Sequence, residues 1–126
     1  MNSTQFASLM EMTFTELKNI VNTKGREYSG DHDRLRNFKD GAVRIGTDPR
    51  TVLWVYMDKH YCSITQYIQD AQKGVKRDLS EPIEGRIADM ILYLLLLKGL
   101  HIDMDSSVSN ENYRMRDEFF RDVEER

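Results

Sequence analysis

Apolar residues recur at helical spacing over most of this chain, and the pattern predicts an all-α protein. Two prolines in 126 residues leave long stretches in which a 3.6-residue period runs without interruption. The apolar stripe predicts a first helix from Ser3 to about Lys24. Thr13 and Glu16 match a capping box, which gives an alternative start near Phe14.

The middle of the chain predicts two helices with clear boundary signals. We expect a short helix over about residues 34–45, which Gly46 can end in the left-handed conformation. Asp48 can cap the next helix and Pro49 suits its first position, so we expect a long helix that ends near residue 73. Its predicted inner stripe consists of Leu53, Met57, His60, Ile64 and Ile68.

The last third of the chain predicts a strongly apolar helix followed by a charged one. The apolar helix runs from about residue 81 to residue 98, and Gly99 is its predicted end. A polar linker follows, and then a charged helix over about 110–125. We expect one helical domain with its core at about 3–100. The charged helix is either appended to this core or lies at a subunit interface. The fold class is an all-α bundle of four to five helices.

Composition restricts the classes of protein to which the chain can belong. Hydrophobic residues make up 40% of the chain and charged residues 31%, as is typical of a folded domain. The net charge of −3 gives no reason to expect binding to nucleic acid or to a membrane surface. A single cysteine, Cys62, excludes an internal disulfide and a cysteine zinc cluster. We see no signal peptide and no bilayer-spanning run, so we expect a cytoplasmic protein.

The most unusual position is a carboxylate inside the longest apolar run, residues 82–100. At about 100° per residue, Arg86, Asp89 and Tyr93 share one side of the predicted helix. A buried carboxylate without a partner costs several kcal/mol, so Asp89 needs a cation, a metal or a ligand. We expect either a binding site, with Arg86 on a phosphate, or an internal ion pair. The neighbours expected to be buried are Ile87, Met90, Leu92, Leu94 and Leu96.

A facing helix can supply a partner for Asp89. His60 lies in the middle of the inner stripe, where a histidine is either a satisfied core residue or a member of a site. Lys59 and Asp58 lie off that stripe, on what is a solvated face in a monomer. Glu84 lies in the first turn of the apolar helix, where the helix dipole by itself accounts for an acid.

The segment around the first predicted loop mixes basic residues with two glycines and an aromatic ring. Such a mixture suits a phosphorylated ligand whose base stacks on the ring. Acids in the same segment offset the basic charge, so a solvated loop is the alternative. The sequence contains no P-loop, Rossmann, serine-hydrolase, zinc-peptidase or EF-hand motif. The residues that would contact such a ligand are Lys24, Arg26, Tyr28, Arg36 and Asn37.

Three short segments of the chain carry a family resemblance. They contain, in order, Lys24…Glu27-Tyr28-Ser29-Gly30…Asn37-Phe38, Asp58-Lys59-His60…Ser63-Ile64, and Glu81-Pro82-Ile83-Glu84…Arg86…Asp89…Tyr93-Leu94. Together these segments resemble small, mostly phage-borne helical proteins, the nucleotide-modification-associated domains. These domains in turn look like the MazG-type all-α nucleoside triphosphate pyrophosphohydrolases, and the resemblance covers about residues 14–100.

The MazG-type resemblance implies a helical core that assembles into dimers or tetramers and holds Mg²⁺. Its E-x-x-E and E-x-x-D motifs place acids on one face of two antiparallel helices, where the metal activates water. This sequence departs from that pattern. If Asp89 matches the last acid, Arg86 replaces the matching glutamate, and Tyr61 replaces the second acid after Asp58. A guanidinium repels Mg²⁺ but binds phosphate, which weakens the hydrolase hypothesis.

These observations leave three functions open, with no catalytic residue identified. The first is a nucleotide-binding protein that captures a small phosphorylated ligand, such as a host nucleotide signal, without a cofactor. The second is a Mg²⁺-dependent (d)NTP pyrophosphohydrolase with Asp89, Asp58 and Glu84 as metal ligands. The third is a helical protein–protein interaction module. The ligand contacts under the first hypothesis are Arg86, Asp89, His60, Tyr93, Lys24, Arg26, Tyr28, Arg36, Asn37 and Lys59.

We also expect a homo-oligomer. The helix over 90–97 is apolar on all sides, and a second subunit would bury the surface that one domain leaves exposed.

Overall fold

Four α-helices account for most of the residues that the computed structural model describes, which are 1–25, 33–79 and 81–105. They are α1 (Ser3–Ile20), α2 (Arg36–Ile45), α3 (Pro49–Gln72) and α4 (Ile83–Met104), and a π-helical segment, Val21–Gly25, extends α1. These ranges contain no strand, so the prediction of an all-α fold is confirmed. None of the described helices is long and apolar enough to cross a membrane. The predicted charged helix at about 110–125 lies outside the described residues.

The first helix begins at a reciprocal cap that the sequence pattern did not single out. Asn2 Oδ1 accepts a hydrogen bond from the Gln5 amide, and Gln5 Oε1 accepts one from the Asn2 amide, both at 2.9 Å. This capping box satisfies two free amides of the first turn. Thr13 lies inside the helix, where its hydroxyl donates to the Leu9 carbonyl at 2.8 Å. The predicted start at Ser3 is therefore confirmed, and the alternative start after Thr13 is wrong.

Both helix boundaries predicted in the middle of the chain are confirmed. α2 ends at Gly46, which has φ 78° and donates its amide to the Ala42 carbonyl at 2.8 Å. The next helix begins directly after Asp48, whose Oδ1 accepts from the Arg50 amide at 2.8 Å. The connection between α2 and α3 is therefore tight, and its geometry is local in origin.

The end of α4 was predicted too early. The helix passes through Gly99 and continues to Met104, and Gly99 does not have a positive φ. A Cβ at Gly99 would lie 3.6 Å from Leu35 Cδ1, and the next residue, Leu100, is fully buried. Packing against these neighbours stabilises a helical conformation that a glycine alone disfavours. Gly99 as a helix end is therefore wrong, and the predicted linker begins only after Met104.

The third and fourth helices form an antiparallel hairpin, and this hairpin carries most of the core. Leu53 near the start of α3 and Leu100 near the end of α4 are both 0% exposed and lie in one cluster. α2 packs on α3, and α1 packs on α4. Full burial stabilises each leucine by about 1.5–3 kcal/mol. The buried residues of the cluster are Phe38, Ala42, Val52, Leu53, Met57 and Leu100.

Several apolar residues expected in the interior lie on the surface instead. Ile87 is 41% exposed and Leu94 is 51% exposed, so the prediction that both are buried is wrong. Met90, Leu92 and Leu96 are half-buried.

The predicted inner stripe of α3 is also buried only in its first half. Leu53 and Met57 are buried, His60 and Ile64 are half-buried, and Ile68 is 50% exposed. The hairpin therefore presents apolar surface beyond the core of one chain.

Candidate functional site

His60 and Asp89 meet near the centre of the α3–α4 hairpin. The His60 Nδ1 atom lies 3.9 Å from Asp89 Oδ2, and the two side chains are 15% and 27% exposed. The antiparallel packing produces this contact, because it sets the middle of α3 beside the first half of α4. The structure thus brings together two of the residues that the sequence singled out. Asp89 is half-buried and not fully enclosed among leucines.

The separation between these two groups is that of an ion pair without a direct hydrogen bond. Hydrogen bonds between nitrogen and oxygen measure about 2.7–3.2 Å, whereas this pair is 3.9 Å apart. The attraction is strong only when the imidazole is protonated. At this distance a water molecule or a polar atom of a ligand can bond to both groups. The His60 imidazole thus lies within ion-pair distance of the Asp89 carboxylate.

Tyr93 lines the site with an aromatic ring. Its ring centroid lies 5.3 Å from that of His60, with the two planes inclined at 37°. Tyr93 also packs against the buried core, so the position of its ring is fixed by the fold. The site therefore combines an acid, an imidazole and an apolar ring face.

Arg86 adds a cation one turn before Asp89. The i,i+3 spacing places both residues on one side of α4, and Arg86 is half-buried there. A guanidinium offers several donors in a planar arrangement that fits phosphate oxygens. The same charge opposes a bare metal cation nearby.

Asp58, Glu84 and Asp89 do not form a cluster in one chain. Asp58 and Glu84 are exposed, and the Cys62 thiol lies 4.0 Å from Asp58 Oδ2. Within the ranges that the structure describes, no three side chains of His, Cys, Asp or Glu lie close enough together to hold a metal ion. The three acids assigned to Mg²⁺ under the hydrolase hypothesis are therefore not gathered as a set of oxygen ligands.

The predicted basic contacts are spread along the chain. Lys59 is exposed and directly precedes His60 on α3. Lys24 lies in the π-helical segment. Arg26 and Tyr28 lie outside the described residues.

Arg36 and Asn37 lie in the first turn of α2, away from Asp89. Arg36 is exposed and Asn37 is half-buried. The preceding residue, Leu35, lies beside Gly99, ten residues beyond Asp89 on α4. That difference corresponds to about 15 Å along the helix axis. The structure does not gather these two residues into the cluster of His60, Asp89 and Tyr93.

A buried carboxylate, Asp70, is held by hydrogen bonds that sequence patterns did not predict. Asp70 is 8% exposed. It accepts from Arg77 Nε at 2.9 Å, from Arg77 Nη2 at 3.2 Å and from Gln66 Nε2 at 2.9 Å. The Arg77 guanidinium, with help from Gln66, lowers the pKa of the Asp70 carboxyl. Only the i,i+4 spacing of Gln66 and Asp70 is visible in the sequence, because Arg77 reaches back from an irregular connection.

Lys39 joins the start of α2 to the end of α4. Its Nζ atom lies 2.8 Å from Asp33 Oδ2 and 3.1 Å from Asp103 Oδ2. These bonds raise the pKa of Lys39, and the bond from Lys39 lowers the pKa of Asp33. The 64-residue separation of Lys39 and Asp103 leaves no local pattern that could have predicted the contact.

Comparison with known proteins identifies no similar protein. The chain matches no protein-family model, no curated protein and no solved structure. Its function is therefore argued from the geometry of the site.

Proposed function

We propose that this protein captures a small phosphorylated ligand, a nucleotide, at the cluster of His60, Asp89 and Tyr93, with Arg86 toward the phosphate. One observation carries the proposal. An acid and an imidazole lie 3.9 Å apart beside a tyrosine ring, on two packed helices, where both are partly open to solvent. This arrangement provides polar groups that a ligand can bridge and a flat surface on which it can rest.

Each group has a defined part in such a complex. Asp89 accepts a hydrogen bond from a ribose hydroxyl or from a base N–H group. His60 donates to an oxygen of the same ligand when its ring nitrogen carries a proton. Tyr93 offers its ring face for stacking, and Arg86 donates to phosphate oxygens. Because helices hold these side chains, little conformational entropy is lost when the ligand binds.

The charges at the site favour binding of the nucleotide without its hydrolysis. Arg86 lies one turn before Asp89, so the positive charge at this position attracts phosphate directly and repels a bare Mg²⁺ ion. The resemblance to phage-borne nucleotide-modification-associated domains supports the same ligand class. A phage origin, a location in the host cytoplasm and a MazG-like bundle are parts of this proposal.

A thermal-shift panel tests the proposal. The protein is heated with nucleoside mono-, di- and triphosphates in phosphate-free buffer, with and without EDTA. A ligand at 100 times its dissociation constant stabilises the folded state by about 2.7 kcal/mol. We expect one or more nucleotides to raise Tm equally in both buffers. Calorimetric titration then gives the dissociation constant.

Matched substitutions assign the binding to the site. Asp89→Asn removes a charged acceptor, and we expect the affinity to fall about 10- to 100-fold. Asp70→Asn is the control, because Asp70 is a carboxylate of the same hairpin that is already bonded to Arg77. We expect Asp70→Asn to bind the nucleotide as the wild type does.

Three results would contradict the proposal. One is a full panel without any shift in Tm. Another is unchanged affinity in Asp89→Asn. The third is release of pyrophosphate from a (d)NTP with Mg²⁺ that disappears in Asp89→Asn, which would establish the hydrolase alternative.

A further inference from the structure

The facing atoms of His60 and Asp89 are hydrogen-bonding groups of opposite kinds. Asp89 Oδ2 is an acceptor, and His60 Nδ1 lies 3.9 Å from it. The negative charge of the carboxylate favours a proton on Nδ1, because that is the ring nitrogen nearest to it. Nδ1 is therefore a donor in the neutral ring as well as in the protonated ring.

A group that binds both atoms must donate one hydrogen bond and accept another. An N–H group of a base donates to Asp89 but leaves the His60 N–H without an acceptor. A carbonyl or phosphate oxygen accepts from His60 but sets one acceptor against another at Asp89. A hydroxyl satisfies both atoms, because it carries one O–H donor and two acceptor lone pairs.

The distance between the two atoms fits a single bridging hydroxyl. The hydroxyl oxygen would lie about 2.7 Å from the carboxylate oxygen and about 2.9 Å from the imidazole nitrogen. With those atoms 3.9 Å apart, the two bonds meet at the hydroxyl oxygen at about 90°, an angle that an O–H bond and a lone pair of one oxygen can span. A water molecule bonds in the same way, and a ligand hydroxyl replaces it without loss of either bond.

The Asp89 carboxylate can accept from a second hydroxyl at the same time. An ionised carboxylate has two oxygens with about four acceptor positions, and the Asp89 side chain is 27% exposed. Two hydroxyls on neighbouring carbon atoms, on the same side of a ring, can therefore donate to its two oxygens together. The ribose of a nucleotide carries such a cis-diol at its 2′ and 3′ positions, whereas deoxyribose has only one of the two hydroxyls.

The order of the site residues along α4 matches the order of groups in a nucleotide. Arg86 lies about 4.5 Å along the helix axis before Asp89, and Tyr93 lies about one turn after it, with its ring centroid 5.3 Å from that of His60. In a nucleotide the diol lies between the carbon that bears the base and the carbon that leads to the phosphate. A diol at Asp89 therefore directs the base toward Tyr93 and the phosphate toward Arg86.

We propose that His60 and Asp89 recognise the free cis-diol of a ribonucleotide. One hydroxyl bridges His60 Nδ1 and Asp89 Oδ2, and the other donates to the second oxygen of Asp89. This inference rests on the proposed function and narrows its ligand to nucleotides whose 2′- and 3′-hydroxyls are both free. Deoxynucleotides and 3′,5′-cyclic nucleotides, in which the 3′-oxygen is esterified, cannot make the full set of bonds.

Calorimetric titration of the wild type with matched nucleotides tests the inference. The probes are the 5′-mono- and triphosphates of the four common ribonucleosides, each beside its 2′-deoxy and 3′-deoxy analogues. For each ribonucleotide that binds, we expect loss of either hydroxyl to raise Kd on the order of 10- to 100-fold, because a hydrogen bond to a charged acceptor is lost. These comparisons require no variant protein, so they do not depend on the folding of one.

Two further ligand pairs identify the part played by each hydroxyl. The 2′-O-methyl analogue keeps the 2′-oxygen but has no proton to donate, and we expect it to bind as weakly as the 2′-deoxy analogue. We expect 3′,5′-cyclic AMP to bind more weakly than AMP, since it lacks a free 3′-hydroxyl. Tighter binding of the cyclic nucleotide would overturn the inference.

Protein variants then assign the discrimination to Asp89. Asp89→Leu has a side chain of similar shape without acceptors, so we expect the ratio of the deoxynucleotide Kd to the ribonucleotide Kd to fall to near one. Arg86→Gln should weaken both ligands by the same factor and keep the ratio, because both carry the phosphate. Asp70→Asn should keep both affinities, since Asp70 is bonded to Arg77.

The possible failures separate this inference from the proposed function. If the wild type binds ribonucleotides and deoxynucleotides equally, the diol contact is wrong and nucleotide capture stands. If the ratio persists in Asp89→Leu, the diol is recognised elsewhere, and the assignment to His60 and Asp89 is overturned. If none of the probes binds, the proposed function and this inference are both overturned.

Discussion

Two carboxylates of the same hairpin, Asp70 and Asp89, are held in different ways. The Asp70 carboxylate accepts three hydrogen bonds from Gln66 and Arg77, which are close to it in the sequence, at 2.9–3.2 Å. Asp89 has the His60 imidazole at 3.9 Å and is more exposed. A carboxylate has about four acceptor positions. Asp70 is therefore largely satisfied by the protein, whereas Asp89 retains capacity to bind another molecule.

Asp70 and Asp89 differ in how far away in the sequence their partner residues lie. Gln66 and Arg77 lie within seven residues of Asp70, and the chain between them wraps around the end of α3. There the Val75 amide donates to the Asp70 carbonyl at 2.9 Å, and Gly74 has φ 69°. The distance from Asp89 to His60, by contrast, is set by the packing of two helices. The connection after α3 therefore holds the Asp70 side chain through hydrogen bonds. The packing of α3 on α4 leaves the Asp89 side chain partly exposed to solvent.

We expect the largest loss of stability from a substitution in the core that positions both carboxylates. Leu53 is fully buried between the helices. We expect Leu53→Ala to lower the free energy of unfolding by about 2–5 kcal/mol. Urea denaturation of the wild type and the variant measures the difference. A loss below 1 kcal/mol would show that α3 is not packed as the structure has it.

Asparagine substitutions compare the two carboxylates directly. We expect Asp70→Asn to lower Tm, because it removes the charge that pairs with Arg77. We expect Asp89→Asn to leave Tm nearly unchanged, since its ion pair is long and partly solvated. Calorimetry on both variants gives the two Tm values. If Asp89→Asn were the more damaging substitution, Asp89 would be the structural anchor and the comparison would reverse.

The stability that the Asp70–Arg77 pair contributes depends on pH. The bonds from Arg77 hold the pKa of Asp70 below its ordinary value of 3.8. The folded state therefore gains stability from this pair above pH 3.8 and loses it as the pH falls through the lowered pKa. We expect the stability difference between the wild type and Asp70→Asn to close below about pH 3.8. Urea denaturation from pH 7 to pH 2 follows it. Arg77→Gln should show the same closure, and a constant difference over this range would exclude the pair as its cause.

Alanine substitutions at two glycines should cause the smallest changes in stability, with opposite signs. Gly74 beside Asp70 has φ 69°, and we expect Gly74→Ala to cost about 1 kcal/mol because a Cβ disfavours this conformation. Gly85 of α4 has nothing within 4 Å of an added Cβ and lies in the first turn of the helix. Gly85→Ala should stabilise the protein by up to about 1 kcal/mol. Thermal unfolding of the two variants measures both, and equal signs would contradict the local geometry described here.

Much of the fold follows from local signals in the sequence. Asp48, Pro49 and Gly46 set helix boundaries through hydrogen bonds and backbone angles within a few residues. The periodic apolar residues gave the number and approximate length of the four described helices. The pattern also identified Asp89 as unusual and His60 as a residue on a helix facing it.

The errors arose where distant parts of the chain meet. Gly99 has the local character of a helix end, yet burial of Leu100 in the core carries α4 through it. Ile87 and Leu94 have the character of core residues but are exposed. Periodicity shows that a position is apolar and does not show which surface will cover it.

By itself, then, the sequence determined an all-α chain, most of its helix boundaries and the two residue types at the centre of the site. Those features depend on interactions within a few residues. The tertiary structure decided that His60 lies 3.9 Å from Asp89, that Arg77 binds Asp70, and that Ile87 and Leu94 are exposed. Each of these depends on the distance and orientation between segments far apart in the chain, which only packing fixes.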